Sequence, residues 1–128
     1  VLLPDGRVFS AGDTGSGGGG NTDEIFTPPY LSLGARPTIT SSPAQAANGA
    51  SFTISTPDTT SRAVLIHPGS STHTIGFDER IVTLSTTATA TGLTAVAPSA
   101  TVGVAGWYML FLVNSSGVPS TAKWIHIG

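Results

Sequence analysis

Three histidines are the side chains here with most to offer chemically: His67, His73 and His126. His73 sits in the stretch His67-Pro68-Gly69-Ser70-Ser71-Thr72-His73-Thr74-Ile75-Gly76-Phe77-Asp78-Glu79-Arg80. Apolar runs flank this stretch, Ala63-Val64-Leu65-Ile66 before it and Ile81-Val82-Thr83-Leu84 after it. Pro68, Gly69 and the serines are loop formers, so the chain leaves one strand and enters another. Two strands need only a few residues between them. A long polar connection carrying a histidine is therefore a candidate site on a rigid frame. From spacing alone, a surface histidine in an ordinary loop is the more common outcome. His67 and His126 invite a zinc reading with His73, but no cysteine or clustered carboxylate completes a tetrahedral set. His126 alternates with Ile125 and Ile127 and belongs on the outer face of the last strand.

Other motifs resolve into ordinary structure. Gly15, Gly17 and Gly20 have the dinucleotide-binding spacing after a strand, but Thr27-Pro28-Pro29 precludes the required helix. Asn114-Ser115-Ser116 is a glycosylation sequon, fully explained as a hairpin turn ending in Gly117. No serine has a credible catalytic triad or nucleophile elbow.

The elements that must position His73 are strands. Only 9% of the 128 residues are charged, and Gly, Ser, Thr, Ala and Val fill the gap, which favours strands and turns. No segment carries a useful run of helical periodicity. From Arg36 onward, short alternating strands recur at roughly 8–12 residues, the pattern of an all-β sandwich. The expected strands are Thr38–Thr40, Ser51–Ser55, Ala63–His67, Ile81–Leu84, Gly92–Val96, Trp107–Asn114 and Lys123–Ile127. Phe52 and Ile54 share one face, as do Leu93, Ala95 and Ala97. Trp107 to Val113 is apolar on both faces and reads as a central strand, with Trp107 as a core anchor. Ala44 to Ala47 could form one helical turn at most. Val1 to Ala11 reads as a β-hairpin turning at Pro4-Asp5-Gly6, and Glu24-Ile25-Phe26 as a further short strand.

The totals exclude several classes. A net charge of −2 argues against nucleic acid, which needs basic patches. No apolar run approaches the ~18 residues that cross a bilayer. Without cysteine there is neither disulfide nor thiolate metal site. Val1 reads as a cut end of a longer chain.

The central stretch resembles the C-terminal domain of the galactose oxidase and glyoxal oxidase family of copper radical oxidases. The resemblance is carried by Pro68-Gly69, Thr72-His73-Thr74 and Asp78-Glu79-Arg80. It continues in Leu2-Leu3-Pro4-Asp5-Gly6-Arg7-Val8-Phe9, Glu24-Ile25-Phe26-Thr27-Pro28-Pro29-Tyr30-Leu31, Arg36-Pro37-Thr38-Ile39, Trp107-Tyr108-Met109-Leu110-Phe111 and Gly117-Val118-Pro119-Ser120, in family order. The chain departs from the family at Glu79, where Gln is usual, at Gly76, where Asn is common, and at Val104-Ala105-Gly106, where Pro-Pro-Gly is usual.

The resemblance implies an Ig-like, early-set β-sandwich over residues 31–128. Residues 1–30 would be a partial last blade of an upstream kelch-type propeller, plus a linker. It implies that His73 is a copper ligand in the intact parent, with Thr72, Thr74, Asp78 and Arg80 supporting its loop. Arg80 is expected to hold the loop base by hydrogen bonds. The family's remaining donors, two tyrosines and a second histidine, and its cysteine-linked tyrosine are not matched here. Tyr30 and Tyr108 match structural positions. The isolated chain is thus expected to carry no catalytic residue, to hold copper only weakly and to make no peroxide. The parent would be a secreted oxidase acting on a small alcohol, aldehyde or carbohydrate. The competing reading is a non-catalytic binding or structural module that contacts carbohydrate. Against it, the aromatics expected on exposed faces are only Tyr30 and Trp124. The N-terminal strands, cut from their blade, are expected to be the least stable part and a route to self-association.

Overall fold

The computed structural model describes residues 1–13, 21–73 and 75–128. The strands in chain order are β1 (Val8–Asp13), β2 (Asn21–Phe26), β3 (Gln45–Ala46), β4 (Ser51–Ser55), β5 (Arg62–His67), β6 (Ser70–Thr72), β7 (Ile75–Phe77), β8 (Arg80–Thr83), β9 (Ser85–Thr89), β10 (Gly92–Val96), β11 (Gly106–Val113) and β12 (Lys123–Ile127). Among the described residues the only helical element is a 3-10 turn at Pro29–Ser32, so the chain is all-β. A three-stranded sheet, β4-β10-β9, faces a five-stranded sheet, β3-β12-β11-β5-β8. The pairs are antiparallel except β12 with β3. Two ribbons stand apart from the sheets, β1-β2 and β6-β7.

Strict alternation builds the core between the sheets. Phe52 and Ile54 reach in from β4, and Ala95 from β10. Leu65 of β5, Tyr108, Leu110 and Leu112 of β11, and Ile125 and Ile127 of β12 meet them. The intervening residues of β11 are apolar as well. Met109, Phe111 and Val113 form a second cluster with Val64 and Ala122 on the outer face of the five-stranded sheet, with Leu2 and Ile66 packed against it. A central strand buried on both faces is continuously hydrophobic for this reason.

The outer cluster exists because the N-terminal hairpin lies on it. Leu3 and Arg7 close the turn, with the Leu3 amide donating to the Arg7 carbonyl at 2.8 Å. Gly6 takes φ +86°, and a side chain there would press on Leu31 at 3.1 Å, so glycine is required twice over. The Asp5 carboxylate accepts from the Arg7 amide at 3.0 Å and pairs with its guanidinium at 2.7 Å. The Arg7 amide is the main cause that lowers the Asp5 pKa. Two bonds fasten this turn, and Arg36 makes two more beside it. The Ala122 amide donates to the Pro4 carbonyl at 2.8 Å. The Tyr30 hydroxyl donates to the Gly6 carbonyl at 2.6 Å. Leading into the final strand, Arg36 donates to the carbonyls of Pro119 and Ser120 at 2.9 and 2.8 Å.

The N-terminal stretch therefore divides into two parts. Val1 to Phe9 includes the turn that is bonded to the sandwich, whereas β2, opposite Val8 and Phe9, leaves Ile25 and Phe26 about half exposed.

Several expectations change on this frame. Trp107 is not a core anchor: it is 52% exposed. It lies on the outer face with Met109 and Phe111, past the end of the covering hairpin. Thr38–Thr40 is no strand. Pro37 and Pro43 bracket it without donors to extend a ladder, and one bridge, Ser41 to Ser55, remains. Ala44 to Ala47 forms no helical turn. It adds β3 to the sheet edge, where the His126 amide donates to the Ala44 carbonyl at 2.9 Å. Strand β9, Ser85-Thr86-Thr87-Ala88-Thr89, is exposed throughout and carries no apolar alternation to reveal it.

Two measurements test this packing. Trp107→Ala should cost at most about 1 kcal/mol in denaturant melts, as for a half-exposed ring, whereas Leu110→Ala should cost about 2–5 kcal/mol. Equal losses would put Trp107 back in the core. Separately, burial raises the Tyr30 phenol above its ordinary value of 10.0, because the buried neutral donor is the form the fold prefers. Its stabilisation is complete below the unfolded pKa and lost as pH rises through the folded one. Tyr30→Phe should thus be less stable than the parent chain by about 0.5–1.5 kcal/mol near neutrality. That gap should close in alkaline melts. A gap that is constant with pH would show that the hydroxyl is not held.

Candidate functional site

The connection after β5 is a built structure. It is the β6-β7 hairpin, with Ser70 opposite Phe77 and Thr72 opposite Ile75. Two residues separate the strands, and His73 lies in the turn. His73 takes φ +51°, the left-handed conformation that hairpin turns of this length demand. Histidine is among the non-glycine residues enriched there. The imidazole is exposed at the hairpin tip, and the Thr72 hydroxyl lies 2.8 Å from its Nδ1. Which of the two donates depends on the tautomer. Thr74, named from sequence as a supporting residue, lies outside the described residues.

The base of the hairpin is narrow. A side chain at Gly69 would come within 3.1 Å of Glu79 Cβ, so the outgoing and returning arms touch there. Asp78 turns the returning arm at φ +60°, another left-handed position that Asp tolerates. Arg80 then enters β8 opposite His67. For Arg80, expected to brace the loop base through its guanidinium, the geometry among the described residues is that of its backbone pairing. Arg80 holds the base through its place in the β5-β8 pairing.

His67 ends β5 inside this base. Its ring meets Tyr108 edge-on, with centroids 5.1 Å apart and planes at 76°. Tyr108 is itself fixed by donating to the Val104 carbonyl at 2.7 Å. Gly106 leaves room for the imidazole, since a side chain there would sit 3.2 Å from His67 Nε2. The buried Nδ1 of His67 has no hydrogen-bond partner, so this ring serves as packing. His126 lies across the sheet against Trp107. Among the described residues no group of three or more His, Cys, Asp or Glu gathers around a common point. The sequon residue Asn114 is spent on its turn: its carbonyl oxygen accepts from the Ser116 and Val118 amides, and its amide donates to the Ala35 carbonyl.

A surface groove of about 380 Å³ lies elsewhere, on the outer face of the five-stranded sheet. It is lined by Leu2, Tyr30, Val64, Ile66, Ile81 and Phe111 among others, and it is mostly apolar. Nothing in its lining joins His73. What this hairpin offers a metal among the described residues is one imidazole, presented outward.

Sequence reasoning missed the hairpin itself. Ser70–Thr72 and Ile75–Phe77 are three residues each and are exposed where described, so no buried face marks them. The available signal was the Thr-His-Thr centre between β-branched neighbours.

Comparison with known proteins agrees with this architecture. A galactose oxidase from Gibberella zeae is 40% identical over 139 aligned positions, covering 99% of this chain and 20% of the relative. A second, from a named strain of the same organism, matches equally. The chain therefore spans about a fifth of the curated relatives it matches. The solved structure described as a novel fungal alcohol oxidase with catalytic diversity among the AA5 family, in complex with copper, superposes with a TM-score of 0.86 at 28% identity. It is matched over 98% of this chain and 29% of its own. The family described as "Galactose oxidase-like, Early set domain" matches residues 36–127; with the strand order, the two faces of β11 and the hairpin after β5, this makes the chain a member of the galactose oxidase-like early set domain family.

Proposed function

We propose that this chain is the C-terminal domain of a secreted copper radical oxidase, and that it delivers His73 as one copper ligand to a centre completed by an upstream kelch-type propeller. In the whole protein the reaction would take a primary alcohol to an aldehyde, or an aldehyde onward, while O2 becomes H2O2. One observation carries the reading: a two-residue hairpin turn presents the Thr72-His73-Thr74 imidazole outward at the tip of a ribbon whose base is locked into the sandwich. Residues 1–30 supply the partial last blade in this reading, and the sandwich caps the propeller.

The residues of this chain have defined tasks. His73 would hold the metal through Nε2, which requires the tautomer whose Nδ1–H donates to the Thr72 hydroxyl. A ligand's second ring nitrogen is commonly fixed in this way, which sets both tautomer and orientation. The left-handed backbone at positions 73 and 78 aims the tip. Gly69 against Glu79, and His67 against Tyr108, keep the base from splaying. Copper, when bound, supplies the one-electron chemistry that passes electrons from substrate to O2. The substrate pocket would come from the propeller.

The test is a pair of variants in the whole oxidase. His73→Ala should abolish peroxide release and lower the copper content, with the melting temperature of the sandwich unchanged. Thr72→Val should weaken copper affinity by about 10–100-fold, the usual effect of losing a ligand's hydrogen-bonding partner. The 128-residue chain by itself should bind Cu(II) no more tightly than a single imidazole does. Undiminished activity in His73→Ala would remove the ligand role. Tight stoichiometric copper on the isolated chain would bring His67 or His126 into the site.

A further inference from the structure

The outer face of the five-stranded sheet is only partly covered by the N-terminal hairpin. Toward the β12 edge it presents a band of rings. Register sets Trp107 opposite His126 and Met109 opposite Trp124. Gln45 lies opposite His126 on the other side. Ile125, Ile127 and Ala46 alternate into the core, so Trp124, His126 and Gln45 share the outward face with Trp107. Trp107 is 52% exposed and Trp124 44%. Trp107 and Trp124 are diagonal neighbours across the strand pair, about 7–8 Å apart.

These rings are held in place. The His126 imidazole meets the Trp107 indole edge-on, with centroids 5.4 Å apart and planes at 76°. Met109 between them is 1% exposed, so the floor of the band is filled. Leaving two indoles in water forgoes about 25 cal/mol for each Å² that could be buried, and the sandwich gains nothing by it. The strand positions that form the band carry no charge. The Gln45 amide and the His126 imidazole stand beside the indoles and offer both donors and acceptors.

We propose that Trp107, Trp124, His126 and Gln45 form a platform that binds a neutral polysaccharide. A pyranose ring has an apolar C–H face and a rim of hydroxyls. The indoles match the face, and the amide and imidazole match the rim. Two rings at diagonal spacing engage successive sugar units of a chain. The chemistry disfavours anionic occupants. Anionic lipid and nucleic acid call for basic residues, which the band lacks. A protein partner, the rest of a longer chain included, would bury the same indoles, and the measurements below separate it from a polysaccharide. The inference does not depend on the copper reading.

Affinity gel electrophoresis tests it, with galactomannan, xyloglucan and mixed-linkage β-glucan as neutral probes and polygalacturonate as the charged control. Both the 128-residue chain and the longer protein that contains it are run. Retardation is expected in at least one neutral gel and not in polygalacturonate. Trp107→Ala and Trp124→Ala should each weaken it by about tenfold or more. Ile81→Ala, which trims a residue 67% exposed at the opposite edge of the same sheet, should leave it unchanged. Circular dichroism checks each variant, and Trp107→Phe replaces Trp107→Ala if the latter does not fold. The proposal is overturned by free migration in every neutral gel, or by retardation that survives both tryptophan substitutions. Binding by the short chain but not by the longer protein would show that the rest of the protein covers the face, and would overturn it too. So would a dimer in sedimentation that Trp107→Ala dissolves, which would make a second copy the occupant.

Discussion

Strand β11 is the constraint on which everything else depends. From Tyr108 to Val113 it is buried on both faces, and it hydrogen-bonds β12 on one side and β5 on the other. One face of it needs the three-stranded sheet. The other needs a cover that the sandwich alone does not contain. The N-terminal hairpin is that cover, seated by Leu2 and tied by the Pro4 carbonyl to the Ala122 amide. A protein with a single core would need only the first layer. Here the strand that anchors the base of the His73 hairpin, through Tyr108 and His67, is also the strand that makes the N-terminal segment structurally necessary. The hairpin is thereby referenced to both layers.

A rigid base beneath an exposed tip suits a ligand delivered to another domain. The base has close contacts at Gly69 and Glu79 and an aromatic pair at His67 and Tyr108. The tip has an imidazole whose immediate contact is the hydroxyl beside it. Positional precision comes from the sheet, while the chemistry is displayed about a strand's length away from it. In the proposed reading, this division would let the chain keep a conventional sandwich and still lend a ligand to a centre that lies elsewhere.

Much of this was legible in the residues. Phe52 and Ile54, or Ile125 and Ile127, alternate against polar neighbours, and such alternation has one physical reading. The two-faced burial of Tyr108 to Val113 could be read from its unbroken apolar run. The run does not say where cover ends, and so Trp107 looked buried when it is not: an indole at the strand's first turn of pleat has the same letter pattern whether or not another segment lies over it. Strand β9 and the β6-β7 ribbon escaped because both are solvent-exposed, so no hydrophobic period is imposed on them. The short β3 escaped for a different reason. Gln45 and Ala46 have no strand preference of their own, and hydrogen bonds from β12 outweigh local propensity. The His73 position was legible through its motif, while its left-handed turn became visible only with the register of β6 and β7.

The bond between Pro4 and Ala122 joins residues from opposite ends of the chain, and this bears on the order in which the protein assembles. Synthesis runs from Pro4 towards Ala122, so the hairpin is made before the sheet that it covers. The sheet that hairpin must lie upon is finished only when β11 and β12 have appeared. Until then Leu2 has no surface to cover, and β5 has only β8 of the two strands that flank it. Pairings of such long sequence separation form slowly, since the loop must close before any contact rewards it. Within this stretch of chain the hairpin is thus made before its seat, and the outer face of the sheet stays open to solvent, or to any other apolar surface nearby, until β11 and β12 have joined.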